Sequence, residues 1–153
     1  MVRDLCMGAD LHLTKEQRAA LSAVFTGRFS AGGRGEIDPA LHVPCYNCWG
    51  LVMAVTAILG HPAPEVKTPA VATARAVDSR REEVEKDFIR LDGPRPGCLV
   101  GFRTHPRLTE AVNHYGVMLT SREFVHVQRG TGVHVARIDR QPYNRMVAGF
   151  WSY

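Results

Sequence analysis

Four side chains of this 153-residue chain have types and spacing suited to nucleophilic chemistry: Cys45, Cys48, His114 and His126. The two cysteines stand three apart in "CYNCWGLVMAV", directly ahead of an apolar run. Such a pair reads as a metal site, as a redox CxxC, or as one employed thiol beside an incidental one. For zinc, His42, Cys45, Cys48 and Cys98 would supply four ligands, but no second closely spaced ligand pair follows, as a ribbon or finger requires. A thioredoxin-like pair needs a preceding strand in a βαβ context, and the residues before Cys45 offer neither. The third reading uses Cys48 alone. With a helix beginning there, its thiol sits at the positive end of the helix dipole, where unpaired N–H groups favour a thiolate and can hold a developing oxyanion. A buried, inert cysteine would fit the same apolar segment equally well.

The histidines shift that balance. A thiol nucleophile needs a base to take its proton and return it to the leaving group. His114 and His126 flank a predicted hairpin, "HYGVMLTSREFVH". Alternation puts His114, Gly116 and Met118 on one face of the first strand, and Phe124, His126 and Gln128 on one face of the next. A loop with an odd number of residues would bring both imidazoles side by side on the same face. One can then act as base while the other orients it. His134 alternates with Val133 and Val135 and reads as structural. His12, His42, His61 and His105 fall in loop-like or unpartnered contexts.

The elements that must position these groups follow from the surrounding pattern. Thr14 with Gln17 forms a capping box, and "KEQRAALSAVF" reads as an amphipathic helix ending at Gly27. "SAGGRGEIDP" has the composition of a flexible surface loop. From Cys48 to about Leu59, Trp49, Leu51, Val52, Val55 and Ile58 form a broad apolar face at helical spacing, stopped by Gly60 and Pro62. A second, more solvated helix is predicted between Pro69 and Leu91. After the break at "DGPRPG" come five short β-favouring runs: "CLVGF", "HYGVML", "EFVHVQ", "VHVARI" and "MVAGFW". Helices first and an antiparallel sheet of about five strands afterwards make an α+β fold.

Composition narrows the function classes. The chain is 45% hydrophobic and 22% charged, within the range of a globular domain. The net charge of +4 comes from scattered residues, with no arginine-rich block or aromatic–basic repeat, so nucleic acid is not an expected partner. The longest apolar run, Trp49 to Leu59, is too short to span a bilayer, so no membrane partner is expected. The start "MVRDLCMGADLHLTKEQRAAL" lacks a signal-peptide core, which predicts a cytoplasmic protein as synthesised and leaves a virion or a non-Sec export route open. Cysteines without a secretory signal argue for free thiols.

At these residues the chain resembles the NlpC family of papain-like cysteine peptidases, which includes cell-wall endopeptidases and phage tail-associated enzymes. "NCWGLV" looks like the nucleophile segment, "RPGCLVGF" like the strand after the second helix, and "NHYGVMLTSREFVHV" like the strand pair carrying the base and the third catalytic residue. The order is the family's, and the likeness runs from about Pro44 to the C-terminus. The glycine-rich segment the family carries just ahead of its nucleophile has no close match, since "AGGRG" lies too far upstream.

The resemblance implies a papain-like catalytic domain over residues 44–153, with residues 1–43 as a helical extension of unknown role. It implies Cys48 as nucleophile, His114 as general base and acid, and His126 as the group orienting His114. The Cys48 N–H would be one oxyanion donor, with Tyr46 as a nearby polar side chain. The implied activity is thiol hydrolysis of an amide bond in peptidoglycan stem peptides, with no metal or cofactor. Phage tail proteins are implied partners. A non-catalytic tail or assembly component keeping the fold, and a zinc or CxxC redox module, are the alternatives.

Overall fold

The computed structural model describes residues 11–65, 88–105, 107 and 112–153. Helix α1 (Lys15–Val24) opens on the expected capping box: the Thr14 hydroxyl accepts from the Gln17 N–H, and the Gln17 side chain accepts from the Thr14 N–H. Its Leu21 and Val24 are buried, and it packs on helix α2 (Cys48–Ile58), which begins at Cys48 as the apolar spacing predicts. The Gln17 amide also donates to the Ile58 carbonyl at 2.9 Å, satisfying one of the acceptors left open at the end of α2.

Between the helices lie three short strands, β1 (Arg28–Phe29), β2 (Arg34–Ile37) and β3 (Pro44–Tyr46), in the order β1-β3-β2. The expected surface loop "SAGGRGEIDP" is therefore corrected in part, because Arg34–Ile37 pairs antiparallel with β3. Composition hid this strand because Gly33, just ahead of it, serves close packing. A Cβ on Gly33 would stand 2.6 Å from the Cys45 carbonyl oxygen.

The large sheet holds β4 (Ile89–Leu91), β5 (Leu99–Phe102), β6 (His114–Met118), β7 (Glu123–Gln128), β8 (Gly132–Arg137) and β9 (Val147–Ser152), with a one-turn helix α3 (Tyr143–Met146) before β9. Its order is β4-β9-β5-β6-β7-β8, and every neighbouring pair is antiparallel. All five predicted runs are strands. The sixth, β4, overturns the end of the predicted Pro69–Leu91 helix, most of which lies outside the described residues. Residues 89–91 lie on the edge of β9, where ladder hydrogen bonds reward an extended chain, and Phe88 is buried against Trp49 and Tyr153.

The sheet buries both faces. On one, Leu99, Tyr115, Val117, Val125 and Val127 meet Trp49, Leu51, Val52 and Val55 of α2. On the other, Val100, Phe102, Met118 and Phe124 pack with Tyr143 and Met146 of α3. Each fully buried aliphatic side chain of this kind stabilises by about 1.5–3 kcal/mol. Strand alternation sends His114, His126 and His134 to the second face, among Phe102, Phe124 and Tyr143.

Candidate active site

Cys48 is the first residue of α2 and is half-buried. The residue before it holds it there. Asn47 is the N-cap, 6% exposed, and its side-chain oxygen accepts from the Gly50 N–H at 2.7 Å and from the Arg34 guanidinium. Its amide donates to the Ala31 carbonyl at 3.0 Å, and its backbone N–H to the Gly33 carbonyl at 3.0 Å. Gly33 in turn presses on the first turn of α2, because a Cβ on Gly50 would collide with its carbonyl oxygen. "AGGRG" is thus distant from the nucleophile segment in sequence and adjacent in space.

Removing the Asn47 side chain deletes a cap and orphans buried partners in one step. Asn47→Ala should cost about 2–3 kcal/mol in chemical denaturation, against about half of that for Asn47→Asp, which keeps the capping oxygen. A loss below about 1 kcal/mol would show that the N-cap does not anchor α2.

The histidines meet as their spacing predicts. Val117 pairs with Val125 and Met118 with Phe124, so the five-residue loop is odd and both imidazoles share a face. His114 lies diagonal to His126, and its Nε2 is 2.9 Å from the His126 Nδ1. His126 has no solvent exposure and stands at the centre of a larger set. Its Nε2 is 3.3 Å from the Tyr143 hydroxyl, which donates on to Gln128 Oε1 at 3.5 Å. His134 pairs directly across from it, with ring centroids 4.2 Å apart. A carbonyl only accepts, so the His134 Nδ1, 3.1 Å from the Gly132 oxygen, carries its hydrogen there. Burial above all, and then repulsion from His114 and His134, hold the His126 pKa down to about 2. The central ring is neutral at working pH.

That neutrality leaves His126 with one ring donor and one ring acceptor. In the tautomer whose Nε2–H points to the Tyr143 oxygen, its Nδ1 accepts and His114 Nε2 donates to it, while the Tyr143 proton goes to Gln128; the other tautomer reverses these directions. Gln128 was legible from alternation, as a residue on the histidine face. Tyr143 was not, because it arrives from a single helical turn beyond β8 that no periodicity announces.

The remaining candidates lie apart from this network. Cys45 is half-buried in the small sheet, opposite Arg28 and Glu36. Cys98 is buried, accepts the Arg95 N–H at 3.4 Å, and has its pKa pushed up by desolvation. Tyr46 is buried in the helix-side core with its ring over Gly27 and Gly35. Cys45, Cys48 and Cys98 are not in disulfides. Among the described residues no group of three or more His, Cys, Asp or Glu side chains is arranged to hold a metal ion, so His42, Cys45, Cys48 and Cys98 are not gathered into a site. No described helix is long and apolar enough to cross a membrane. Cys48 and His114 are each followed by one member of an aromatic pair: Trp49 and Tyr115 pack edge to face at 5.4 Å. The first turn of α2 therefore lies against the first residues of β6.

Known proteins share the fold. The NlpC/P60 family model matches residues 27–152. No curated protein matches the chain. Among solved structures it is similar to NlpC2 from Trichomonas vaginalis, at 16% identity over 99% of this chain and 51% of that one, with a TM-score of 0.57. It is likewise similar to NlpC1 from Trichomonas vaginalis, at 19% identity over 95% and 47% of the two chains, with a TM-score of 0.54. The chain spans about half the length of these proteins. At such identities the likeness speaks for the fold, while the family match covers most of the sequence. The chain belongs to the NlpC/P60 family and has the papain-like fold of its cysteine peptidases and amidases.

Proposed function

We propose that the protein is a thiol hydrolase that cleaves an amide bond in peptidoglycan stem peptides, with Cys48 as nucleophile, His114 as base and acid, and His126 as the orienting group. The observation that carries this reading is the 2.9 Å bond between His114 Nε2 and the Nδ1 of a neutral, buried His126. In the tautomer whose Nε2–H donates to His126, the lone pair of His114 is on Nδ1, the atom that would take the thiol proton. His114 opens β6 and Cys48 opens α2, so each stands at the end of its element, where the proposed proton transfer between them would take place. The Trp49–Tyr115 packing supports that approach.

The chemistry then balances in two halves. The Cys48 thiol gives its proton to His114, and the sulfur forms a C–S bond with the scissile carbonyl carbon. The oxyanion faces the Cys48 N–H at the helix N-terminus. His114 then protonates the leaving amine as the C–N bond breaks. Water, deprotonated by the same imidazole, attacks the thioester and releases the acid and the thiol.

The test is mass-spectrometric analysis of disaccharide-peptides incubated with the protein. The wild type should produce new fragments and Cys48→Ser should not. Cleavage surviving in Cys48→Ser would overturn the assignment. Binding of the muropeptides without any cleavage would favour a non-catalytic component that retains the fold.

A further inference from the structure

A cleft of about 440 Å³ opens between the turn joining α1 to β1 and the turn joining β7 to β8. Thr26, Arg28 and Phe29 line one wall, and Arg129, Gly130 and Thr131 the other. The walls are tied at their base, where the Val133 N–H donates to the Gly27 carbonyl at 3.0 Å. Gly132 is needed there twice over: its φ is +73°, and a Cβ would stand 2.7 Å from the Gly27 oxygen. The cleft is therefore a built feature of the fold.

Its charge is one-sided. The Arg129 guanidinium lies over the Phe29 ring at 5.3 Å, a contact that uses the face of the cation and leaves its in-plane N–H donors unspent. Among the described residues neither Arg28 nor Arg129 donates a hydrogen bond or forms an ion pair. Asp38 feels the Arg28 charge but forms no ion pair with it, and its Oδ1 accepts from the N–H groups of Ala40 and Leu41. Two guanidinium groups lining one opening repel each other, and a planar carboxylate relieves that repulsion while matching the donor fork of each.

The residues that line the cleft are close in sequence or strand register to the segments that carry the proposed catalytic groups. Arg28 pairs with Cys45 and Phe29 with Tyr46, in the strand that leads into Cys48. Arg129 follows Gln128, the acceptor of the Tyr143 hydroxyl. We infer that Arg28 and Arg129 form a binding subsite for a carboxylate of an acidic peptide, which selects substrates with a free acid near the scissile bond. The inference rests on the hydrolase reading for its role in turnover, and on the cleft alone for binding.

The experiment titrates the full-length Cys48→Ser protein, which does not consume the probe, with acetyl-Ala-Glu and with acetyl-Ala-Gln amide, following backbone amides by NMR. The acidic peptide should shift Gly130, Thr131 and Gly132, and Arg28→Gln with Arg129→Gln should weaken it roughly tenfold or more. The amide should bind weakly to both proteins. Equal binding of the two peptides, or binding unchanged in the double variant, would overturn the subsite. Inorganic phosphate displacing the peptide at equal concentration would overturn its assignment to peptide carboxylates. In otherwise wild-type protein the double variant should raise KM roughly tenfold for an acidic muropeptide with kcat kept within about twofold. Selective, arginine-dependent binding in a protein that hydrolyses nothing would keep the subsite and reject the hydrolase.

Discussion

His114→Ala should lower kcat on muropeptides by roughly 10³-fold or more while leaving KM within a few-fold. The removed ring would take the thiol proton before attack and return it to the amine, so both halves of the reaction lose their proton carrier. His126→Ala acts one step further out, and roughly 10²-fold is expected, since a free His114 ring can still sample the useful tautomer. Tyr143→Phe keeps the packing against Phe102 and Phe124 but deletes the hydroxyl that stands 3.3 Å from His126 Nε2. Its loss should be smaller still, about three- to tenfold in kcat, with KM unchanged. The ranking is the informative part. Steady-state kinetics by chromatography of the products checks it, and His114→Ala within tenfold of wild type would remove that residue from the mechanism.

The second large effect concerns stability in acid. His126 is held neutral in the folded protein, with its pKa near 2, whereas in the unfolded chain an exposed imidazole titrates at about 6.5. Below pH 6.5 the unfolded state therefore takes up a proton that the folded state refuses. The contribution of this group is present in full above pH 6.5 and shrinks as the pH falls towards 2, by about 1.4 kcal/mol per pH unit on the steep part. Between pH 7.5 and pH 5 the expected loss is about 2 kcal/mol. This window lies above the carboxylates, including Asp139, which Arg137 holds at about 2 and whose own effect comes at lower pH. Urea unfolding at the two pH values checks the effect. His126→Gln should flatten the slope, and if that variant does not fold, the wild-type slope alone decides, since a flat profile would contradict a neutral buried ring.

Legibility in the sequence followed the range of the interactions. Short-range signals were readable: the capping box at Thr14, the helix starting at Cys48, and the five β-favouring runs each depend on neighbours within a few residues. The histidine pair was readable too, because alternation and an odd loop are local arithmetic. What escaped notice was set by partners far along the chain. Strand β2 exists because β3 lies beside it, and Gly33 just ahead of it, which looks like a loop residue, is small because the Cys45 backbone presses on it. Strand β4 pairs with β9, some sixty residues later, so helical periodicity before it gave the wrong conformation for Ile89–Leu91. Tyr143 joins His126 across the α3 turn, at a separation no spacing rule covers.

The seating of Gly33 on Gly50 has a practical corollary for anyone transplanting this catalytic unit. A fragment trimmed to begin at Pro44 would carry Cys48, His114 and His126 and yet lack the clamp on the helix that presents the sulfur. It would also expose the edges of β3 on both sides. The smallest portable version of the machinery must therefore include the strands that begin at Arg28, and a graft that omits them would trade a rigid thiol for a fraying one.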